Sequence, residues 1–145
     1  GIVPVRNKII GNIEQTMRYF NRSSRILKRF RMPVSFILAA KDKVKLKDIK
    51  FIYCAKIANQ QCKKFIANLK KIDPAVKIIT NFPSTSSAFK KIVQQRGRRA
   101  GASAAIGSEY AAKIYGFKTL AKQIQDSKAD WTEFVLFSAS ASSAQ

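Results

Sequence analysis

"AAIGSEYAAKIYGFKTLAKQIQDSKADWTEF", residues 104–134, carries the fold in miniature. Its first residues close "ASAAIG" (102–107), a strand of small side chains suited to tight packing. "SEYAAKIYG" (108–116) then reads as a helix, with Gly116 just beyond its last turn as the C′ stop. "FKTLAKQIQ" is extended, and "WTEFVLF" (131–137) is a last strand rich in β-branched and aromatic residues. Strand, helix and strand follow within a few residues of one another, which is the rhythm of an α/β domain.

The same rhythm runs upstream. "GIVPV" (1–5) is a short strand that Pro4 confines to an edge or a crossing segment. Glu14 to about Arg29 reads as a basic helix, in which Arg18, Arg22, Arg25 and Arg29 recur at i, i+4, i+7 and i+11 and share a face. Pro33 opens "PVSFILAA", a buried strand, and the charged connector 41–50 leads into the strand "IKFIYC" (49–54). Lys56 to Lys71 is an amphipathic helix with Ile57, Gln61, Phe65 and Leu69 on one face, broken by Asp73–Pro74. "VKIIT" (76–80) is a strand, and Ser84 caps a helix carrying Ala88, Ile92 and Val93. "QQRGRRAG" (94–101) reads as a loop. No internal repeat or splitting boundary is visible. Residues 1–137 read as one domain and 138–145, "SASASSAQ", as a low-complexity tail.

Composition bounds the function. The chain has 145 residues, 46% of them hydrophobic, enough for a real core. Its 28 Lys and Arg against 8 Asp and Glu give a formal charge of +20. Self-repulsion on that scale favours a polyanionic partner, first nucleic acid and second an anionic membrane surface. There is no His, which removes the commonest general base and Ser-His chemistry. Cys54 and Cys62 supply neither a disulfide framework nor a complete zinc set, and read as small core hydrophobes in a reducing interior. No cofactor or metal is expected. No apolar run approaches the roughly 20 residues needed to span a bilayer. The start at Gly1 reads as a processed product or a stretch of a longer protein.

Four blocks, in order, resemble the prephenate dehydratase family. "AAIGSEYAAKIYGFKTLAKQIQDSKADWTEF" is similar to the family's C-terminal signature, which ends in a Thr-Arg-Phe motif. "GIVPVRNKIIGNIEQT" resembles its Gly-Val-Val-Pro-Ile-Glu-Asn-Ser segment, "YCAKIANQQC" its Tyr-Ser-His-Pro segment, and "STSSAFKKIV" its Ser-Thr helix start. The resemblance covers residues 1–137. It implies a type II periplasmic-binding-protein-like lobe, with a mixed sheet flanked by helices, plus the strand that returns from it. It also implies that residues 1–5 and 131–137 lie side by side. The family's N-terminal Gly-Pro-x-Gly-Thr segment is not in this sequence.

Three departures sit at the family's functional motifs. Arg6, Asn7 and Lys8 stand for Glu-Asn-Ser; Cys54, Ala55 and Lys56 stand for Ser-His-Pro; Thr132, Glu133 and Phe134 stand for Thr-Arg-Phe. The resemblance gives the motif's Arg a role in binding the dianionic substrate and its Thr a role in dehydration. Glu133 would then repel what the Arg attracts. Thr132, Ser84, Thr85 and Asn7 remain as vestiges, and the family's groups are lost at Arg6, Lys8, Ala55 and Glu133. Ser84 and Thr85 are explained by helix capping alone.

These features point first to an inactive dehydratase-like domain recruited as a structural RNA-binding subunit of a large ribonucleoprotein, such as a mitochondrial ribosome in the organelle matrix. Its contacts would be phosphates, held by Arg18, Arg22, Arg25, Lys28, Arg29 and Arg31, and by the glycine-containing loop of Arg96, Arg98 and Arg99. Neighbouring proteins of the particle would be partners too, with no small-molecule substrate. One alternative is a working dehydratase converting prephenate to phenylpyruvate, its other half on another segment or chain. A second is a basic scaffold that binds an acidic protein.

Overall fold

The computed structural model describes residues 1–20 and 24–139. The chain forms two compact units, one from residues 1–34 and 129–145 and the other from 35–128. The sequence shows no such boundary, because the chain enters and leaves the second unit at Val34–Ser35 and Lys128–Ala129, with no Gly- or Ser-rich linker at either crossing.

The first unit is built on β1 (Ile2–Asn7), β2 (Gly11–Asn12), β3 (Ser24–Pro33) and β9 (Trp131–Ala139), in the sheet order β2-β1-β9-β3. All its pairings are antiparallel. β1 lies against β9 from Ile2↔Leu136 to Asn7↔Thr132, so the two segments expected to be neighbours are. Pro4 faces Phe134 across that ladder, on a stretch of β1 that β2 does not pair, so its missing N–H costs nothing.

The expected helix over 14–29 does not form. Glu14–Tyr19 is a short 3₁₀ turn, and residues 24–33 are β3, paired with β9 from Ser24↔Ala139 to Pro33↔Trp131. Helix propensities of Arg, Lys and Leu differ from those of strand formers by only a few tenths of a kcal/mol. A ten-residue ladder and cross-strand pairs outweigh that, among them Phe30 stacked on Phe134 at 5.8 Å. The strand continues through Ser138 and Ala139, beyond the expected domain end at 137. Residues 140–145 of the expected tail lie outside the described residues.

The second unit has a five-stranded mixed sheet, order β6-β5-β7-β4-β8, formed by β4 (Ile37–Ala40), β5 (Phe51–Ala55), β6 (Lys77–Phe82), β7 (Ser103–Gly107) and β8 (Lys118–Ala121). β5 runs parallel to β6 and β7, whereas β4 is antiparallel to β7 and β8. Its helices are α1 (Lys56–Gln61), α2 (Lys63–Ile72), α3 (Thr85–Val93) and α4 (Glu109–Ile114). The single helix expected over 56–71 is therefore two. Cys62 leaves helical geometry at φ −120°, and the Asp126 carboxylate accepts the freed Lys63 and Lys64 N–H groups at 3.1 and 3.0 Å. A distant acid thus caps α2, which no local pattern could announce.

Phe89 and Ile92 of α3 pack with Ile37, Tyr53 and Phe117 in this unit's core. A Cβ at Gly107 would stand 2.5 Å from Phe89 Cε2, so only glycine lets β7 approach α3 this closely. The buried thiols behave as hydrophobes. Burial pushes Cys54 up to about 11, and burial with the nearby Asp126 charge pushes Cys62 up to about 12. Among the described residues, no helix is long and apolar enough to cross a membrane.

Candidate active site

The candidate residues divide between the units: Arg6, Asn7, Lys8, Thr132 and Glu133 in the first, Ala55, Ser84 and Thr85 in the second. In the first, the β1–β9 register sets Asn7 opposite Thr132 and Arg6 opposite Glu133. Directly opposed residues share a sheet face and successive residues alternate. Asn7 and Thr132 therefore occupy one face, and Arg6 and Glu133 the other.

Asn7 organises its face. The residue is 3% exposed. Its Nδ2 lies 3.1 Å from Thr132 Oγ1, 3.1 Å from the Trp131 carbonyl and 3.3 Å from each oxygen of Asp130, sharing two protons among these acceptors. Its Oδ1 accepts the N–H groups of Ile9 and Ile10 at 2.9 and 3.1 Å, which fixes the amide's orientation and closes the turn after β1. Asp130 is 2% exposed, and its carboxylate relies on the Asn7 amide. Lys8 does not reach this cluster; its Nζ donates to the Ala129 carbonyl at 3.1 Å. Asp130 was absent from the sequence expectations. The available signal was an acid placed directly before the last strand of a chain with only eight.

On the other face, Glu133 is not a bare anion. Its carboxylate oxygens lie 3.6 Å from Arg29 Nη1 and 3.5 Å from Arg31 Nε, and Arg6 is its cross-strand neighbour. The repulsion of a dianion expected of Glu133 would therefore act from a carboxylate that already has two guanidiniums nearby. The guanidiniums are more than half exposed, so each pair contributes ~0.2–1 kcal/mol. Arg6, Arg29 and Glu133 line a cavity of about 530 Å³ floored by Phe20, Ile26 and Val135.

In the second unit, Ser84 caps α3: its Oγ accepts the Ser87 N–H at 3.2 Å, and the Ser84 N–H donates back to Ser87 Oγ. Thr85 is the first helical residue. Ala55 ends β5 at the entry to α1, where it offers no polar group.

Comparison with known proteins fits this arrangement. A family model described as prephenate dehydratase matches residues 1–142. The chain belongs to the prephenate dehydratase family. It is 34% identical over 139 residues to the bifunctional chorismate mutase/prephenate dehydratase of Buchnera aphidicola subsp. Schizaphis graminum, and 33% identical over 138 residues to that of Aquifex aeolicus. Each match takes in 94% of this chain but 34% and 35% of those proteins, so the chain spans about a third of their length. The crystal structure of prephenate dehydratase from Arthrobacter aurescens superposes with a TM-score of 0.78 at 26% identity, over 96% of this chain and 45% of that one. The type II periplasmic-binding-like architecture is thereby established. Against the family motifs, Arg6 stands for an acid and Glu133 for a base. The two face each other across the β1–β9 ladder.

The residues expected to hold RNA divide between the two units. Arg22 lies outside the described residues. Arg18 sits on the 3₁₀ turn, with Nε donating to the Gln15 carbonyl at 2.8 Å. The helical arginine face is dissolved by β3: through their partners on β9, Arg29 and Arg31 share the Glu133 face, while Arg25 and Lys28 take the opposite one. Arg96 and Arg98 are exposed, respectively just before and within a 3₁₀ turn at Gly97–Ala102 rather than in an irregular loop. Arg99 is engaged by Tyr53.

Proposed function

We propose that this chain supplies one part of a dehydratase acting on a prephenate-class substrate, a cyclohexadienol bearing a ring carboxylate. In that reaction the ring carboxylate leaves as carbon dioxide, its bonding electron pair aromatises the ring, and the ring hydroxyl departs as water after gaining a proton. Phenylpyruvate is the product from prephenate. The observation that carries the reading is the 3.1 Å contact from Asn7 Nδ2 to Thr132 Oγ1. An amide donor on the Thr132 oxygen occupies one of its acceptor lobes and leaves the hydroxyl free to donate a hydrogen bond to a departing hydroxyl, whose proton comes from solvent. Asn7 is held for that task by its Oδ1 contacts and by Asp130. Family membership and two retained motif residues support the same reading.

The test is turnover by the intact protein, with whatever segments complete it, followed through the absorbance of phenylpyruvate from prephenate and the release of phenylalanine from arogenate. Formation above the uncatalysed rate supports the proposal, and none with either prephenate or its amino analogue arogenate refutes it.

The net charge of +20 favours a second reading, an inactive domain serving as an RNA-binding subunit of a ribonucleoprotein such as a mitochondrial ribosome. Salt-sensitive co-purification with RNA, in a protein that turns over neither substrate, would favour it. β3 offers a simpler use for four of the basic residues: it is an edge strand, and Arg25, Lys28, Arg29 and Arg31 along it discourage pairing with another chain.

A further inference from the structure

In the second unit a cavity of about 450 Å³ is lined by Tyr53, Phe82, Lys91, Gln95 and Arg99. Its cation is built rather than merely present. Tyr53 is 2% exposed, and its hydroxyl lies 2.5 Å from Gln95 Nε2 and accepts Arg99 Nε–H at 2.8 Å. Ser103, fully buried, lies 3.0 Å from Gln95 Oε1 and donates to the Arg99 carbonyl at 2.6 Å, so it ties both residues down. The Arg99 guanidinium stacks over Phe51, 4.4 Å from the ring centre. Gly97, at φ +70°, starts the turn that delivers Arg99 to this place.

One edge of the guanidinium is therefore consumed by Tyr53. Among the described residues, its terminal nitrogens take no hydrogen bond or ion pair. Lys91 adds a second cation with no acidic partner among the described residues, and no carboxylate lines the cavity. A planar fork held in place beside a point charge is the arrangement that recognises an oxyanion, since the fork can bind two oxygens at once. An arginine that served only to pack would need neither the buried hydrogen-bond relay nor a free fork beside a second uncompensated cation.

We propose that this cavity binds a phosphate group, with the Arg99 fork and Lys91 on its oxygens and Phe82 beneath the group that bears it. The phosphate belongs either to a small metabolite or to a nucleic-acid backbone. The site is independent of the dehydratase reading and stands or falls separately from it.

The experiment titrates the intact protein with inorganic phosphate at constant ionic strength, follows binding calorimetrically, and repeats the titration in the presence of a short single-stranded RNA. Saturable binding is expected, roughly tenfold weaker in Lys91→Gln and in Arg99→Gln, and unchanged in Lys43→Gln on the connector. Lys91 is exposed and takes no part in the Tyr53 relay, so its variant reports on the site even if Arg99→Gln disturbs folding. Competition by RNA that the Lys91 variant abolishes assigns the phosphate to a backbone, and absence of competition assigns it to a small molecule. Binding that does not saturate, or that is equally strong in Lys91→Gln and the wild type, overturns the proposal.

Discussion

Thr132 and Glu133 are adjacent on β9 yet belong to different environments. The Thr132 face is a closed hydrogen-bonded cluster around two nearly buried groups, Asn7 and Asp130. The Glu133 face is an open patch of charges, in which Arg29 and Arg31 are more than half exposed. Strand alternation separates the two completely, so a substitution on one face leaves the hydrogen bonds of the other in place. A departure from a family motif must therefore be judged by the face it falls on, not by its distance along the chain.

The faces should respond very differently to mutation. Asn7→Ala removes the only side-chain donor to the Asp130 carboxylate among the described residues and the partner of Thr132, and opens the turn after β1. It should cost about 2–3 kcal/mol in denaturant melts, because a buried acceptor is left unsatisfied. A loss below about 0.5 kcal/mol would mean that the cluster is not closed. Glu133→Arg is a smaller perturbation: it sets a cation opposite Arg6 and Arg31 and should cost about 1 kcal/mol. Arg6→Glu combined with Glu133→Arg should recover part of that loss, a coupling that a double-mutant cycle measures. Strict additivity would show that the exchanged pair does not interact. Smallest is Glu133→Gln, under about 1 kcal/mol and fading as salt is raised, whereas the cost of Asn7→Ala should hardly change with salt.

Much of the second unit was legible in the sequence. β5, β6, β7 and the Ser84-capped α3 follow from runs of apolar residues and local capping chemistry. The helix expected over 14–29 was a misreading, because an arginine repeat at helical spacing carries no information about the distant strand β9 that claims residues 24–33. The split of α1 from α2 depends on Asp126, more than sixty residues away. At the site, Asn7 and Thr132 were visible through the family motifs, but Asp130 was not. Neither were the guanidiniums on Glu133, which depend on the register of β3 against β9.

The most direct test compares kcat/KM for prephenate in wild-type protein, Thr132→Val and Glu133→Gln, with the protein intact. Valine keeps the shape and removes the hydroxyl. The account predicts a loss of about 10²–10³ for Thr132→Val, the scale expected when a donor to a departing group is removed, and a change of only a few-fold for Glu133→Gln. Wild-type rates retained by Thr132→Val, or a larger loss in Glu133→Gln than in Thr132→Val, would contradict it.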